Sequence, residues 1–308
     1  MRRLKLLLIT RDFSKWVHTE PFYLANELST ITDLHIWHQP GNIHNILKDI
    51  PFVPDFILIY LYGSAAEFSP PISGLDTLVI PYGIYVEDLH NITDLREGVK
   101  KDNIKHIFAC YRNAFLDYYP DLADKMKWLP HHVNINIFKD YRLKKDIKML
   151  MMGAVHDGLY PLRHKILQTY SSNSDFVYHP HPGYRDINDN EEVLVKEKYA
   201  KELNRAQLFF TDGTFFRYPV LKYLEVLACN TLLLAPDLPE LYDLGFRSEK
   251  NYVAINEINF VEKAEFYLKN SKERERIAKN GYKLIQKRHT TNIRAKELRD
   301  MIIKILEE

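Results

Sequence analysis

The chain is short of the residues that usually mark a nucleotide site or a covalent staple. It has 11 glycines in 308 residues, and no G-x-G-x-x-G follows any apolar run, which excludes a dinucleotide fingerprint. The nearest approach to a phosphate loop, "GAVHDG" from Gly153 to Gly158, continues with Leu-Tyr instead of Lys-Ser/Thr. That excludes a Walker cradle, so any phosphate would have to be held by side-chain cations and helix N-termini. Only Cys110 and Cys229 are present, both among apolar neighbours; there is no disulfide framework, and a reducing compartment is expected. Charge of either sign is also missing in the net: 42 Lys+Arg stand against 41 Asp+Glu, a formal +1, so no global field attracts nucleic acid. Finally, no apolar run approaches the ~18–20 residues of a membrane span. The start, "MRRLKLLLITRDF", is basic like a signal peptide, yet its apolar run Leu6 to Ile9 is too short and Arg11 and Asp12 follow at once. It reads as a first strand, and the protein as cytoplasmic.

What is present is apolar mass, 46% of residues hydrophobic and 13% aromatic, enough for two domains. Short apolar runs alternate with amphipathic helices. Strands are expected at Lys5–Thr10, Asp33–Trp37, Phe56–Tyr60, Thr77–Pro81, His106–Ala109 and Lys127–Leu129. They are expected again at Ile147–Met152, Phe176–Tyr178, Gln207–Phe210, Thr231–Ala235 and Tyr252–Ile255. Strands this apolar, joined through helices such as Phe22–Leu28 and Ala114–Tyr118, imply parallel sheets buried on both faces. The fold class is therefore α/β with two Rossmann-like domains. The polar, basic stretch His131–Asp146 reads as the linker. Its cations Lys139, Arg142, Lys144 and Lys145, with Lys148 beyond, read as solvated, with a possible weak contact to anionic lipid at a membrane periphery.

"PVLKYLEVLACNTLLLAPDLPEL", Pro219 to Leu241, joins a buried helix to a buried strand, and two opposite charges interrupt the helix. Pro219 suits the first turn, Asn230 a left-handed cap. Lys222 then stands near the N-terminus, where the helix dipole disfavours a cation, and precedes Glu225 in the weaker order for an i,i+3 pair. Either the two form a solvated ion pair on one face, or Lys222 awaits an anionic ligand.

Several pieces, in order along the chain, resemble glycosyltransferases of the GT-B fold, specifically the group 1 type C-terminal domain and the spore-maturation-protein-like branch. They are "WLPHHVNINIFKDY", "IKMLMMGAVHDGLYPLRHKIL", "YHPHPGY", "YAKELNRAQLFFTDGT", "LKYLEVLACNTLLLAPDLPEL" and "RHTTNIRAKEL". The resemblance implies two Rossmann-like domains facing across a cleft, with a C-terminal helix crossing back to the first. On that basis the first domain is 1–140 plus 290–308, on the acceptor side, and 141–289 binds the nucleotide-sugar. The helix resembles the family's "R/K-x-x-E" stretch, so Glu225 is expected on the ribose hydroxyls and Lys222 on the diphosphate. Arg163 adds a second diphosphate contact, and His181 and Thr214 complete the expected donor-binding set. Two departures stand out: Arg217 occupies the place of a second glutamate, and "TRDFSKWVH" replaces the family's glycine-rich turn.

In the first half, "PYGIYVEDLHN" resembles the branch's "D-x-H" segment, so Asp88 and His90, with Asp12, are the expected catalytic groups, Arg11 and His18 lying on the same loop as Asp12. The alternative is that Asp88 caps a short helix and His90 is merely exposed. No metal is expected. His179 and His181 lack partners on a defined element, "DINDNEEVLVKE" lacks the calcium loop's glycine, and D-x-D is absent. That last stretch reads as a capping box, Asp189 with Glu192, opening a helix. The expected activity is transfer of a sugar from a UDP- or GDP-type donor to a glycan or small-molecule acceptor, for example in polysaccharide biosynthesis. A nucleotide-sugar 2-epimerase of the same fold and a non-enzymatic two-domain binding protein are the alternatives.

Overall fold

The computed structural model describes residues 3–65, 68–92, 94–188 and 190–308. The chain forms two compact units: Met1–Ser14, Pro21–Pro130 and Asn292–Glu308 in one, Lys15–Glu20 and His131–Thr291 in the other.

In the first unit the chain runs β1 (Lys5–Ile9), α1 (Glu20–Ile31), β2 (Asp33–Trp37), β3 (Gly41–Asn42), α2 (Ile43–Asp49), β4 (Phe56–Ile59) and β5 (Ile72–Ser73). It continues through β6 (Tyr82–Val86), α3 (Leu95–Lys101), β7 (His106–Ala109), α4 (Arg112–Tyr118) and β8 (Met126–Trp128). Six strands make one parallel sheet in the order β2-β1-β4-β6-β7-β8, while β3 and β5 pair separately. The strands are apolar on both faces because helices cover both; Leu6, Leu7, Phe56, Ile57, Ile84 and Ile107 have no exposed surface. One expected strand is corrected. Thr77–Pro81 does not pair; a 3-10 turn occupies Leu75–Thr77 behind the left-handed Gly74, and the strand is Tyr82–Val86, buried throughout. Pro81 has no N–H to give to a ladder, and its carbonyl instead accepts the N–H of Ile57.

The second unit runs β9 (Ile147–Met152), α5 (Pro161–Tyr170), β10 (Phe176–His179), α6 (Lys196–Arg205), β11 (Ala206–Phe210) and α7 (Lys222–Ala228). It ends with β12 (Leu232–Ala235), α8 (Pro239–Asp243), β13 (Val253–Ala254), α9 (Phe260–Lys269) and α10 (Ser271–Arg288). Its parallel sheet has the order β10-β9-β11-β12-β13, so the strand order reverses between β9 and β11. The core on one face joins Met149, Met151, Leu208, Phe210, Leu232 and Leu234 to Ile166, Tyr170 and Phe260 from the helices. Gly281 lets α10 lie against α7: a Cβ there would stand 2.6 Å from Leu227 and from the carbonyl of Asn251.

Three local expectations change here. Asp189 lies outside the described residues, and the helix begins only at Lys196. The stretch after Pro130 is solvated only in part: Lys139, Arg142, Lys144 and Lys148 are exposed, but His131 and His132 are buried, and Val133 bridges Thr290. Lys145 is half-buried, donating to the carbonyls of Asn204 and Ala206 and to Thr231 Oγ1 at 3.0–3.1 Å, and desolvation brings its pKa down to about 8. The last helix, α11, covers Thr291–Glu307, and from Asn292 onward it belongs to the first unit. Its buried stripe is Ala295, Leu298, Ile302 and Ile305, whereas Ile303 and Leu306 are exposed.

Candidate functional site

In an open parallel sheet, ligands bind beyond the carboxyl ends of the strands where the order reverses. In the second unit that point lies between β9 and β11. Strand β9 runs into Gly153, whose φ of +121° suits glycine. A Cβ there would stand 3.2 Å from Lys222 Cε and 3.4 Å from Arg163 Nη1. Two cations therefore converge on the bare Cα of Gly153.

Arg163 lies in the first turn of α5. Pro161 opens that helix without an N–H to satisfy, and Asp212, just beyond β11, accepts the N–H groups of Leu162 (2.8 Å) and Arg163 (3.4 Å). The residue is 3% exposed. It donates to Thr211 Oγ1 (2.9 Å) and to the carbonyl of Ala154 (3.2 Å), and it lies 4.0 Å from the ring centre of Tyr160. Its Nε is buried without a hydrogen bond. Among the described residues no carboxylate pairs with it.

Lys222 is the first residue of α7, which starts three residues after Pro219. The later start follows from the preceding loop, where Thr214 and Arg217 both have φ of +61°. Asn230, φ +52°, takes the left-handed position beyond the helix as its sequence suggested. Burial, then Arg163, push the Lys222 ammonium down to about 8, with Glu225 pulling the other way. Glu225 is buried, and that burial raises its carboxyl above the usual range against the pull of Lys222 and His18. The two residues form no ion pair. The two are therefore not a solvated ion pair, because Glu225 is out of water and the charges attract without touching. Tyr199, from α6, lies beside both; its ring centre is 5.8 Å from Lys222 Nζ, and its hydroxyl faces the Glu225 carboxyl.

His181 sits in the loop after β10. Burial, then Lys222, Arg163 and His18, hold its pKa down at about 4, so the ring is neutral near pH 7. Thr214 lies beyond β11 with its hydroxyl 3.5 Å from the N–H of Tyr218.

The structure thus brings Arg163, Lys222, Glu225 and His181 together. Gly153, Thr211, Asp212 and Tyr199 belong with them but were not singled out from sequence. The usable signal was position: Gly153 and the "TDG" of Thr211–Gly213 directly follow apolar strands. A second set also went unread. Glu20 is buried, and its carboxylate meets His131 Nδ1 at 2.8 Å, the N–H of His132 at 2.8 Å and His18 Nε2 at 3.4 Å. Burial alone would raise its pKa, but His131 and His132 hold it well below the carboxylate range. No local pattern connects Glu20 to residues more than 100 positions away.

The expected catalytic groups belong to the first unit. Asp12 follows β1 at that sheet's own reversal point, and its carboxylate accepts the N–H of Ser14 at 2.9 Å, which lowers its pKa. Arg11 lies beside it, its Nε 3.4 Å from the Asp12 carbonyl. Asp88 and His90 follow β6 directly and are exposed. Asp88 stands at the cap position of a 3-10 turn, Leu89–Asn91, but its side chain makes no capping bond.

Two parallel sheets in separate units, each opening at its carboxyl edge, make this a protein of the GT-B fold class, with two Rossmann-like domains. More particularly, residues 161–300, from α5 into α11, match the model of a family described as glycosyl transferase-like. No curated protein matches the chain in sequence. Solved structures resemble it throughout. A sucrose-phosphate synthase from Thermosynechococcus elongatus has a TM-score of 0.68 at 11% identity, covering 99% of this chain and 100% of its own. A glycosyltransferase from Rickettsia africae has 0.67 at 10% identity, with full coverage of both chains. Anabaena HepE, in complex with UDP and glucose, has 0.60 at 10% identity, covering 97% and 99%.

Proposed function

We propose that the protein is a glycosyltransferase that moves a sugar from a nucleoside-diphosphate sugar, a UDP-sugar first among the candidates, to a hydroxyl of a glycan acceptor. The observation that carries the reading is the pair Arg163 and Lys222, two neighbouring cations at the strand-order reversal that share no carboxylate. A diphosphate would supply the missing negative charge. As the bond from the sugar C1 to the diphosphate oxygen breaks, charge builds on that oxygen, and pre-placed cations stabilise it most where water is scarce. No metal is required by this scheme. Glu225 would accept from the ribose hydroxyls, Tyr199 lying against it. Asp88, His90 or Asp12 would take the proton of the acceptor hydroxyl as its oxygen bonds to C1. The complex of Anabaena HepE with UDP-glucose supports the choice of donor. The neutral overall charge, with no helix long and apolar enough to cross a membrane, is compatible with a cytoplasmic enzyme of polysaccharide assembly that touches membranes weakly at most.

The test is binding followed by turnover. In calorimetry, UDP should bind the wild type. Lys222→Ala and Arg163→Ala should each weaken it about tenfold to a hundredfold, the worth of one charge-assisted bond. Wild-type affinity in both variants would refute the site. With UDP-sugars, release of UDP should depend on an added glycan. A change of the sugar at C2 without acceptor would make the protein an epimerase instead.

A further inference from the structure

The loop after β10 reads His-Pro-His-Pro-Gly-Tyr, and its geometry fixes more than the backbone. Pro180 and Pro182 restrict the chain on both sides of His181, since a residue before proline is held extended. Gly183 then turns left-handed, φ +89°, and directs its own N–H onto His181 Nδ1 at 3.1 Å. The ring also lies against Tyr184, 4.6 Å between centres. Because Nδ1 accepts a hydrogen bond, it carries no proton. In a neutral ring the proton must then be on Nε2. That nitrogen has no hydrogen-bond partner among the described residues, and it is not sealed from solvent.

The charged groups around it explain why the ring stays neutral. Lys222 from α7, Arg163 from α5 and His18 all repel a further positive charge. Of these, Lys222 also feels the opposite charge of Glu225. A charged imidazole would add a third cation to two that already repel each other. A neutral N–H adds a hydrogen bond to an anion without that repulsion.

We propose that His181 is a ligand-binding residue that donates its Nε2–H, as a neutral imidazole, to an oxygen of the phosphate-bearing ligand held by Lys222 and Arg163. The inference rests on the reading of those two cations as an anion site. It separates the work of the pocket: charge from Arg163 and Lys222, a directional donor from His181. That donor stays constant over the range where an ordinary histidine titrates.

Two measurements on the full chain test it. Long-range proton–nitrogen NMR of the imidazoles, with His181 assigned by its loss in His181→Gln, should show a neutral Nε2–H ring from about pH 5.5 to about 8. The Nδ1–H tautomer, or a charged ring with a midpoint near the ordinary value of about 6.5, would overturn the proposal. Calorimetry with UDP is the second measurement. His181→Gln, which keeps an N–H near the Nε2 position, should bind within about threefold of wild type, and His181→Ala about tenfold weaker, the worth of one neutral hydrogen bond. Glutamine as weak as alanine, or alanine as strong as wild type, overturns it. If Lys222→Ala and Arg163→Ala leave UDP binding intact, the anion-site reading fails and the inference with it. If they abolish binding while His181→Ala does not, only the inference fails.

Discussion

At the scale of single residues, the informative feature is a lysine stationed where a lysine costs stability. Lys222 opens a helix whose N-terminal dipole opposes it, beside Arg163 and partly out of water. Its pKa in the fold, about 8, lies below the ordinary 10.5, so between those values the unfolded chain binds more protons than the folded one. Stability of the free protein should therefore rise with pH across that window, and Lys222→Met should raise the melting temperature at pH 7 while removing that rise. A calorimetric pH series in which Lys222→Met melts lower than wild type would contradict the argument. A bound diphosphate restores the lysine's proton. UDP affinity should accordingly be flat between about pH 7, where the terminal phosphate is already ionised, and about pH 8, and fall above it, by up to about tenfold per pH unit, in wild type but not in Lys222→Met. Glu225 should behave differently from its neighbour. Glu225→Gln should weaken UDP binding and leave inorganic pyrophosphate nearly unchanged, whereas equal losses for both would mean it acts on the phosphates through Lys222.

At the scale of elements, two helices owe their placement to the strand ends they follow. Helix α5 is capped across the reversal point by Asp212, not by a residue of its own loop, so the cap also sets the height of Arg163 over Gly153. Asp212→Ala should cost about 1–2 kcal/mol of stability, the range for a lost cap. It should also weaken UDP binding through Arg163, in excess of its effect on folding, as read by calorimetry on protein that is still fully folded. Undiminished UDP affinity would show that Arg163 holds its place without the cap. Gly153→Ala should weaken UDP as well, because the added carbon meets both cations and φ +121° disfavours alanine. The existence of α7 was legible, since its buried face is continuous from Tyr223 to Ala228. Its start was not, because the left-handed turns at Thr214 and Arg217 use residues with no general preference for that conformation.

At the scale of the whole chain, the last helix joins the first unit although it follows the second in sequence. Ala295, Leu298 and Ile302 are completely buried, so a chain ending at Thr291 would expose that stripe's partners in the first unit. Truncation there should lower the melting transition of the first unit and leave UDP binding by the second within a few fold. Full retention of both transitions would mean that α11 contributes little to the first unit's core.

The two doubly covered parallel sheets were legible because the signal for them is local: continuous apolar runs, spaced by helical periods, from Lys5 to Ala254. Arg163, Lys222, Glu225 and His181 could be named from a motif resemblance, since each stands at a recognisable offset from such a run. What the sequence could not contain was the environment of those residues. The absence of an ion pair between Lys222 and Glu225, the capping of α5 by Asp212 and the clasp of Glu20 by His131 and His132 join positions that are 49 to 112 apart, or turn on burial. Burial decides whether a charge is solvated, shifted or left waiting for a ligand. It is a property of the closed fold, set by which side chains come to lie around a group, and no residue carries it alone.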